Sequence, residues 1–115
     1  MACCELNSRL VPISRNSGGF YFKAVKLYET YYLIEMTFSL STGITTSGVT
    51  LPFSVKPLST FLFTGKANDG SDKWTVPFRL ETSGILTARS NDNNTSIAVS
   101  WVNIHTVFIG TANFD

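Results

Sequence analysis

The sequence predicts an all-β fold, either an antiparallel β-sandwich of the jelly-roll kind or a small barrel. Runs rich in aromatic and β-branched residues recur at intervals of about 8–12 residues, and turns of Gly, Asn and Asp separate them. No window combines helical periodicity with a capping signature. The chain of 115 residues is 43% hydrophobic and includes nine Phe, which is enough for one core in one domain.

The first 19 residues lack the runs of aromatic and β-branched residues that characterise the rest of the chain. Residues 1–19 are mixed in character and contain Pro12 and the pair Gly18–Gly19, which interrupt any regular pattern. We therefore expect a linker here, with one short edge strand over residues 8–13. A single β domain over residues 20–115 follows from the even spacing of the later runs.

The aromatic run over residues 20–40 contains the clearest strand pattern. Its second half alternates with a period of two, which is typical of a half-buried strand. The inward face of this strand is predicted to carry Tyr32, Ile34, Met36, Phe38 and Leu40. A polar turn over residues 41–48 follows, in which Gly43 and Gly48 can supply positive φ angles.

The segment "VTLPFSVKP", residues 49–57, carries two prolines between runs that otherwise look like strand. Pro52 has no N–H to donate and cannot lie in the middle of a central strand. Each proline also restricts the residue before it to extended geometry, so Leu51 and Lys56 are expected to be extended. The segment is therefore predicted to be an extended crossing between strands and not a tight hairpin.

Four more strands are predicted after this crossing. Residues 59–67 form a strand with Phe61 and Phe63 on one face, and the next strand, over residues 73–81, follows a hairpin turn. Pro77 indicates an edge or a bulge in that second strand, whose apolar face comprises Trp74, Val76, Phe78 and Leu80. A third strand over residues 85–89 lies between turns at 82–84 and 90–94, and a long closing strand covers residues 95–110.

Composition excludes several function classes. The formal net charge is +1 and the basic residues are scattered, which disfavours nucleic-acid binding. No apolar run approaches the roughly 18 residues of a membrane span, and the first residues do not resemble a secretory signal. Cys3 and Cys4 are adjacent, so they cannot form disulfide bridges between distant segments, and we expect no disulfide framework and a reducing compartment. We also expect no metal and no cofactor.

Catalytic motifs are not evident either. The only histidine, His105, lies in an apolar run without a serine in a nucleophile-elbow context, and the acidic residues form no distinctive pair. We expect His105 to be a half-buried strand residue and Trp101 to belong to the core. No enzymatic activity is predicted.

The order of motifs from about residue 28 to residue 109 resembles the C-terminal receptor-binding head domains of phage tail fibres and baseplate proteins. The matching pieces are Leu51-Pro52, Lys56-Pro57, Gly84-Ile85-Leu86 and the closing run over residues 96–109. The resemblance implies a jelly-roll-like homotrimer on the virion, at the tail tip or baseplate and assembled in the host cytoplasm. It further implies binding to host cell-wall polysaccharide or another surface glycan, contacts with other tail or baseplate proteins, and a role for the proline segment as the crossover between two sheets.

Two turns have the residue types that saccharides require, namely an aromatic platform and polar groups for the hydroxyls. The alternative is that they are ordinary turns, since turns favour Asn, Asp and Gly in any case. The candidate saccharide-binding residues are Asp69, Asp72 and Trp74 in the first turn, and Arg89, Asn91, Asp92 and Asn93 in the second.

A cluster of tyrosines is the candidate oligomer interface: Tyr21, Tyr28, Tyr31 and Tyr32. Tyrosine is favoured at interfaces because its ring packs while its hydroxyl stays solvated. The alternative is that these rings fill the core of a single chain. Two other functions remain open at this point: a structural assembly module of the virion that binds no glycan, and an OB-type barrel that binds single-stranded nucleic acid.

Overall fold

The computed structural model of the chain describes residues 11–68, 75–90 and 94–115. These residues contain no helix, and all the strand pairings among them are antiparallel, which confirms the all-β prediction. The strands are β1 (Ile13–Ser17), β2 (Phe20–Tyr28), β3 (Tyr31–Leu40), β4 (Val49–Thr50), β5 (Lys56–Pro57), β6 (Phe61–Ala67), β7 (Thr75–Leu80), β8 (Ile85–Arg89), β9 (Ser96–Ile97) and β10 (Val102–Thr111).

All ten strands belong to one sheet, in the order β1-β2-β3-β10-β6-β7-β8-β4, with β5 on β10 and β9 on β8. The last strand is central, because β10 pairs with β3 along its whole length, from Val102 opposite Leu40 to Thr111 opposite Tyr31. The other edge of β10 has two partner strands. β6 pairs with its first two residues, Val102 and Asn103, whereas β5 pairs with its far end at Gly110 and Thr111. The sheet therefore opens between β6 and β10 beyond Asn103.

The aromatic run over residues 20–40 folds as the β2–β3 hairpin. Its turn is Glu29–Thr30, and Glu29 has a φ of 50°. This turn contains none of the usual turn residues Gly, Asn or Asp, so the sequence does not predict it. β1 begins at Ile13, later than the predicted edge strand, and pairs with β2 along all five of its residues.

The core is one cluster of buried side chains to which strands from both halves of the sheet contribute. On β3 the predicted alternation is confirmed, since Tyr32, Ile34, Met36 and Phe38 are buried and Leu40 is partly buried. Val76, Phe78 and Leu80 of β7 are buried in the same cluster. At Gly65 the backbone of β6 approaches Ile104 of β10 so closely that an added Cβ would lie 2.1 Å from its Cγ2. Each large side chain removed from water here contributes roughly 1.5–3 kcal/mol.

The proline segment does carry the chain between separate parts of the sheet. β4 pairs with β8 and β5 pairs with β10, so residues 49–57 cross from one edge of the sheet to its centre. The crossing is not extended throughout, and this part of the prediction is wrong. Pro52–Val55 forms a tight turn in which Phe53 and Ser54 have φ angles of 60° and 53°, and the Val55 N–H donates to the Pro52 carbonyl.

Two predictions about the later strands are refined. The closing strand is broken into β9, an isolated bridge between Val99 and Ile44, and β10. Pro77 pairs opposite Thr64 of β6, and the described β7–β8 pairing starts only at Phe78, so the proline lies where β7 has one neighbour. The predicted turn at 82–84 is confirmed between β7 and β8, and its Gly84 has a φ of 87°.

Candidate functional site

Four connections leave the sheet at the same end, which we call the polar end. They follow β3, β6, β8 and β9 in the chain. The register places the ends of β3 and β6 level with the start of β10, because Val102 lies opposite both Leu40 and Ala67. The ends of β8 and β9 lie further back, because Ala88 pairs with Ile97 and with Phe78, and Phe78 lies opposite Phe63, four positions before Ala67. Loops gathered in this way at the end of a rigid sheet are a common location for binding sites.

Hydrogen bonds join the connection after β6 to the connection before β10. The Asn68 N–H donates to the Trp101 carbonyl at 3.3 Å, and the Ser100 N–H donates to the Asn68 carbonyl at 2.8 Å. The Ser100 hydroxyl donates to that same carbonyl at 3.3 Å. The backbone of Trp101 is thus fixed beside the start of the connection after β6. Its side chain is half-buried and does not belong to the core cluster, which corrects the expectation that Trp101 is a core residue.

The connection after β3 is fastened to the same place. Ile44 and Val99 exchange two backbone hydrogen bonds, of 3.1 and 3.0 Å. Gly43 allows this approach, because its φ is 72° and an added Cβ would lie 1.8 Å from the Val99 carbonyl oxygen. The Ser96 hydroxyl also donates to the Thr46 carbonyl. These bonds hold two of the polar connections together as one surface.

Arg89 at the end of β8 has a structural role in the second candidate turn. Its side chain is only 16% exposed, and Nη2 lies 3.7 Å from Glu81 Oε1. Nη1 donates to the Asn94 carbonyl at 3.2 Å, so the guanidinium spans the turn. Arg79 pairs with the same Glu81 oxygen at 2.6 Å. The arginine predicted to contact saccharide is therefore engaged with its own chain.

The other predicted saccharide-binding residues lie outside the described residues: Asp69, Asp72, Trp74, Asn91, Asp92 and Asn93. What is described is the chain on either side of them. Asn68 lies at the polar end through its bonds to Trp101 and Ser100, and the Ser90 N–H donates to the Thr95 carbonyl at 2.9 Å across the second turn. Both turns thus start from the same end of the sheet.

A shallow cleft opens beside the polar end, between the β1–β2 turn and β4. Its volume is about 180 Å³, and its lining includes Ser17, Gly18, Thr50 and Pro52. Drug-sized ligands usually occupy pockets of about 300–1,000 Å³. This cleft is smaller than such pockets, its lining also includes Phe20 and Val49, and the lining residues belong to the β1–β2 hairpin, β4 and the proline segment, not to the four connections.

The four tyrosines do not form one cluster. Tyr32 is 7% exposed and packs in the core, with its ring centroid 5.1 Å from that of Phe114. Tyr21, Tyr28 and Tyr31 are 47%, 67% and 39% exposed. Tyr28 and Tyr31 flank the β2–β3 turn, at the opposite end of the sheet from the polar end. The competing interpretation, in which these rings fill the core, holds for Tyr32 alone.

His105 is a strand residue, but it is exposed and not half-buried as predicted. It lies on the outer face of β10, where its side chain is 56% exposed and Nε2 is 2.9 Å from Glu35 Oε2. Alternation explains the difference, since Ile104 beside it points into the core. In the described ranges no three His, Cys, Asp or Glu side chains converge as a metal site would require. Nor do those ranges contain a helix long and apolar enough to cross a membrane.

Comparison with known proteins gives no family assignment. No protein-family model matches the chain, and no curated protein matches it in sequence.

Proposed function

We propose that the chain is a non-catalytic receptor-binding domain of a phage tail fibre or baseplate that binds host-surface saccharide at the polar end. The observation that supports this proposal best is that hydrogen bonds join the connections after β3, β6 and β9 at the end of the sheet where the half-buried Trp101 lies. The jelly-roll-like sandwich, the trimer and the location on the virion belong to the same proposal and come from the sequence resemblance.

The chemistry of the polar end suits a saccharide. Hydroxyl groups need many moderate hydrogen-bond partners, and the two candidate turns carry Asn, Asp and Ser in abundance. An aromatic side chain can pack against the C–H face of a sugar, and Trp101 and Trp74 are the indoles available in or next to these connections. We expect each chain to bind a saccharide weakly at a surface formed by turns. Several copies acting together would raise the overall affinity without any new contact in each site.

The proposal is tested with the purified chain on an array of bacterial wall and capsular polysaccharides. We expect binding to at least one polysaccharide and a loss of at least about tenfold in affinity, or about 1.4 kcal/mol, in Trp101→Ala and in the double variant Asn91→Ala/Asn93→Ala. Tyr28→Ala is the matched control, because it removes a more exposed aromatic ring at the opposite end of the sheet. Thermal unfolding checks that Trp101→Ala remains folded.

Other outcomes would replace the proposal. A wild-type chain that binds no polysaccharide would contradict it. Binding to a single-stranded oligonucleotide that weakens steeply with salt would favour the nucleic-acid-binding barrel instead. Equal binding by the wild type and both polar-end variants would show that the saccharide binds elsewhere.

A second candidate function is a virion assembly module that contacts other proteins and no glycan. The observation that favours it is the presence of exposed aliphatic side chains on the outer face of β3 and β10, where Leu33 and Ile109 are 41% and 46% exposed. Copurification with a tail or baseplate protein, together with an empty polysaccharide array, would establish this function.

A further inference from the structure

The outer face of β2, β3 and β10 is polar in the half of these strands that is nearer the polar end. The register places Tyr21 of β2 opposite Thr37 of β3, and Thr37 opposite His105 of β10. Strand alternation turns these side chains away from the core, since Phe22 and Ile104 beside them are buried. The three residues therefore form one row across three strands on the outer face.

Neighbouring positions widen this row into a surface. Lys23 lies opposite Glu35 one pair further from the polar end, and Asn103 lies opposite Ser39 one pair nearer to it. These residues are two positions from the row along their strands, so they share its face. We call this surface the sheet platform, and it comprises Tyr21, Lys23, Glu35, Thr37, Asn103 and His105, all of them exposed or half-buried.

The sheet platform combines the groups that a saccharide needs. Tyr21 is 47% exposed, so its ring can pack against the C–H groups of a sugar. Thr37, Asn103 and Lys23 carry a hydroxyl, an amide and an ammonium group, which together offer donors and acceptors to sugar hydroxyls. The aliphatic Leu33 and Ile109 belong to the other half of this face, so the polar groups are concentrated beside the polar end.

One polar group of the sheet platform is already oriented. His105 Nε2 lies 2.9 Å from Glu35 Oε2 on the neighbouring strand, which restricts the imidazole ring. No described residue bonds to the other ring nitrogen, Nδ1, so this atom can bond to a ligand. A side chain that is held before binding loses less conformational entropy when the ligand arrives.

The charges on this face favour a ligand of low charge. Lys23 lies opposite Glu35, so their charges compensate one another. The exposed Lys66 of β6 lies opposite Asn103 and adds one cation at the border of the sheet platform. Lys56 pairs at the far end of β10, roughly 13 Å beyond the level of Glu35. A nucleic acid or another polyanion needs several uncompensated cations close together, whereas the hydroxyls of a saccharide need none.

The sheet platform continues the polar end. Trp101 lies directly before β10, two positions before Asn103. His105 is four positions after Trp101, about 13 Å along the strand, and two strand spacings, about 10 Å, separate His105 from Tyr21. One sugar ring cannot contact both Trp101 and Tyr21, but a chain of several sugars can.

We infer that the sheet platform binds the part of the saccharide that extends beyond the polar end, so the ligand is an oligosaccharide or polysaccharide of low charge and not a single sugar. Tyr21 packs against the C–H face of one sugar. Thr37, Asn103 and His105 bond to hydroxyls along the chain. The inference rests on the proposed function for the class of ligand, and it assigns binding residues that neither candidate turn contains.

The test uses the bacterial wall and capsular polysaccharides of the array, cut to short oligosaccharides and also hydrolysed to single sugars. We expect the oligosaccharides to bind at least tenfold more tightly than the single sugars. Tyr21→Ala and His105→Ala should each lose about fivefold or more in affinity for the oligosaccharides, and Tyr21→Phe, which retains the ring, should lose less. Tyr28→Ala is the matched control, because Tyr28 is also an exposed tyrosine of β2 but lies at the opposite end of the sheet. Thermal unfolding verifies that each variant is folded.

The outcomes separate this inference from the proposed function. Binding that is weakened by Trp101→Ala but not by Tyr21→Ala or His105→Ala overturns the inference and leaves the polar-end site in place. Binding that is weakened only by the two variants of the sheet platform supports the inference and contradicts the polar-end site. Equal losses in Tyr21→Ala and Tyr28→Ala overturn the inference, and so do single sugars that bind as tightly as the oligosaccharides. A wild type that binds no saccharide overturns both proposals.

Discussion

Phe114→Ala tests whether the fold depends on a residue that follows the last strand. Phe114 lies three positions after the end of β10 and is 3% exposed. Its ring centroid is 5.1 Å from that of Tyr32, 5.9 Å from that of Phe53 and 6.0 Å from that of Phe22. The ring thus joins β2, β3 and the proline segment in one aromatic cluster.

The backbone around Phe114 is held as well. The Asn113 N–H donates to the Phe53 carbonyl at 2.7 Å, and Arg15 Nε donates to the Phe114 carbonyl at 2.9 Å. These bonds keep the segment in place, so truncation of the ring would leave a cavity that the backbone can close only in part. Large-to-small substitutions of buried Phe cost about 3–5 kcal/mol. We expect a value near the lower end, about 3 kcal/mol, since the segment lies at the rim of the core.

A loss of this size is easy to measure in a small domain. Typical stabilities are about 5–15 kcal/mol, and 3 kcal/mol corresponds to a fall of roughly 12–24 °C in Tm. We would follow urea unfolding by tryptophan fluorescence for the wild type, Phe114→Ala and the conservative Phe114→Leu. Leu62→Ala is the control, because Leu62 is 63% exposed and its truncation should change the free energy of unfolding by less than about 0.5 kcal/mol. A cost below about 1 kcal/mol for Phe114→Ala would refute the argument that this segment closes the core.

Two further predictions concern backbone geometry. Gly65→Ala should lower the free energy of unfolding by about 1–3 kcal/mol, since the new Cβ would lie 2.1 Å from Ile104 Cγ2. In urea unfolding the double variant with Ile104→Ala should lose less than the sum of the two single variants, and strict additivity would contradict the close approach. Ser54→Gly should stabilise the protein by about 0.5–1 kcal/mol, because Ser54 has a φ of 53° and a left-handed conformation is costly for residues other than glycine. Ser54→Ala is its control and should not stabilise, and a thermal scan that shows no gain for the glycine variant would argue against this turn geometry.

Much of the secondary structure could be predicted from the sequence. The alternation on β3 and β7 placed Ile34, Met36, Val76 and Phe78 inside, because a strand with one buried face must repeat every second residue. The turns that contain glycine were also predicted, because the ability of glycine to adopt positive φ angles is a local property of the backbone. The Glu29–Thr30 turn and the tight turn at Phe53–Ser54 were not predicted. Glu29, Phe53 and Ser54 adopt positive φ angles there, although none of them is a residue type that usually does so.

The candidate site was predictable only in part. The sequence identified two polar turns, but not that they start from the same end of the sheet as the connections after β3 and β9. That arrangement follows from the register of β10 between β3 and β6, a pairing of segments far apart in the chain. Arg89 illustrates the same limit. Its residue type suits a ligand, yet its ion pair with Glu81 depends on the geometry of β7 and β8.

The sequence by itself determined the all-β class, the period of the strands and the glycine turns, since these depend on local backbone sterics and on one apolar face for each strand. Only the tertiary structure decided which strands are neighbours. The last strand, β10, lies between β3 on one edge and β6 and β5 on the other. These pairings join segments that are far apart in the chain, so they depend on how distant surfaces fit together and not on local backbone geometry.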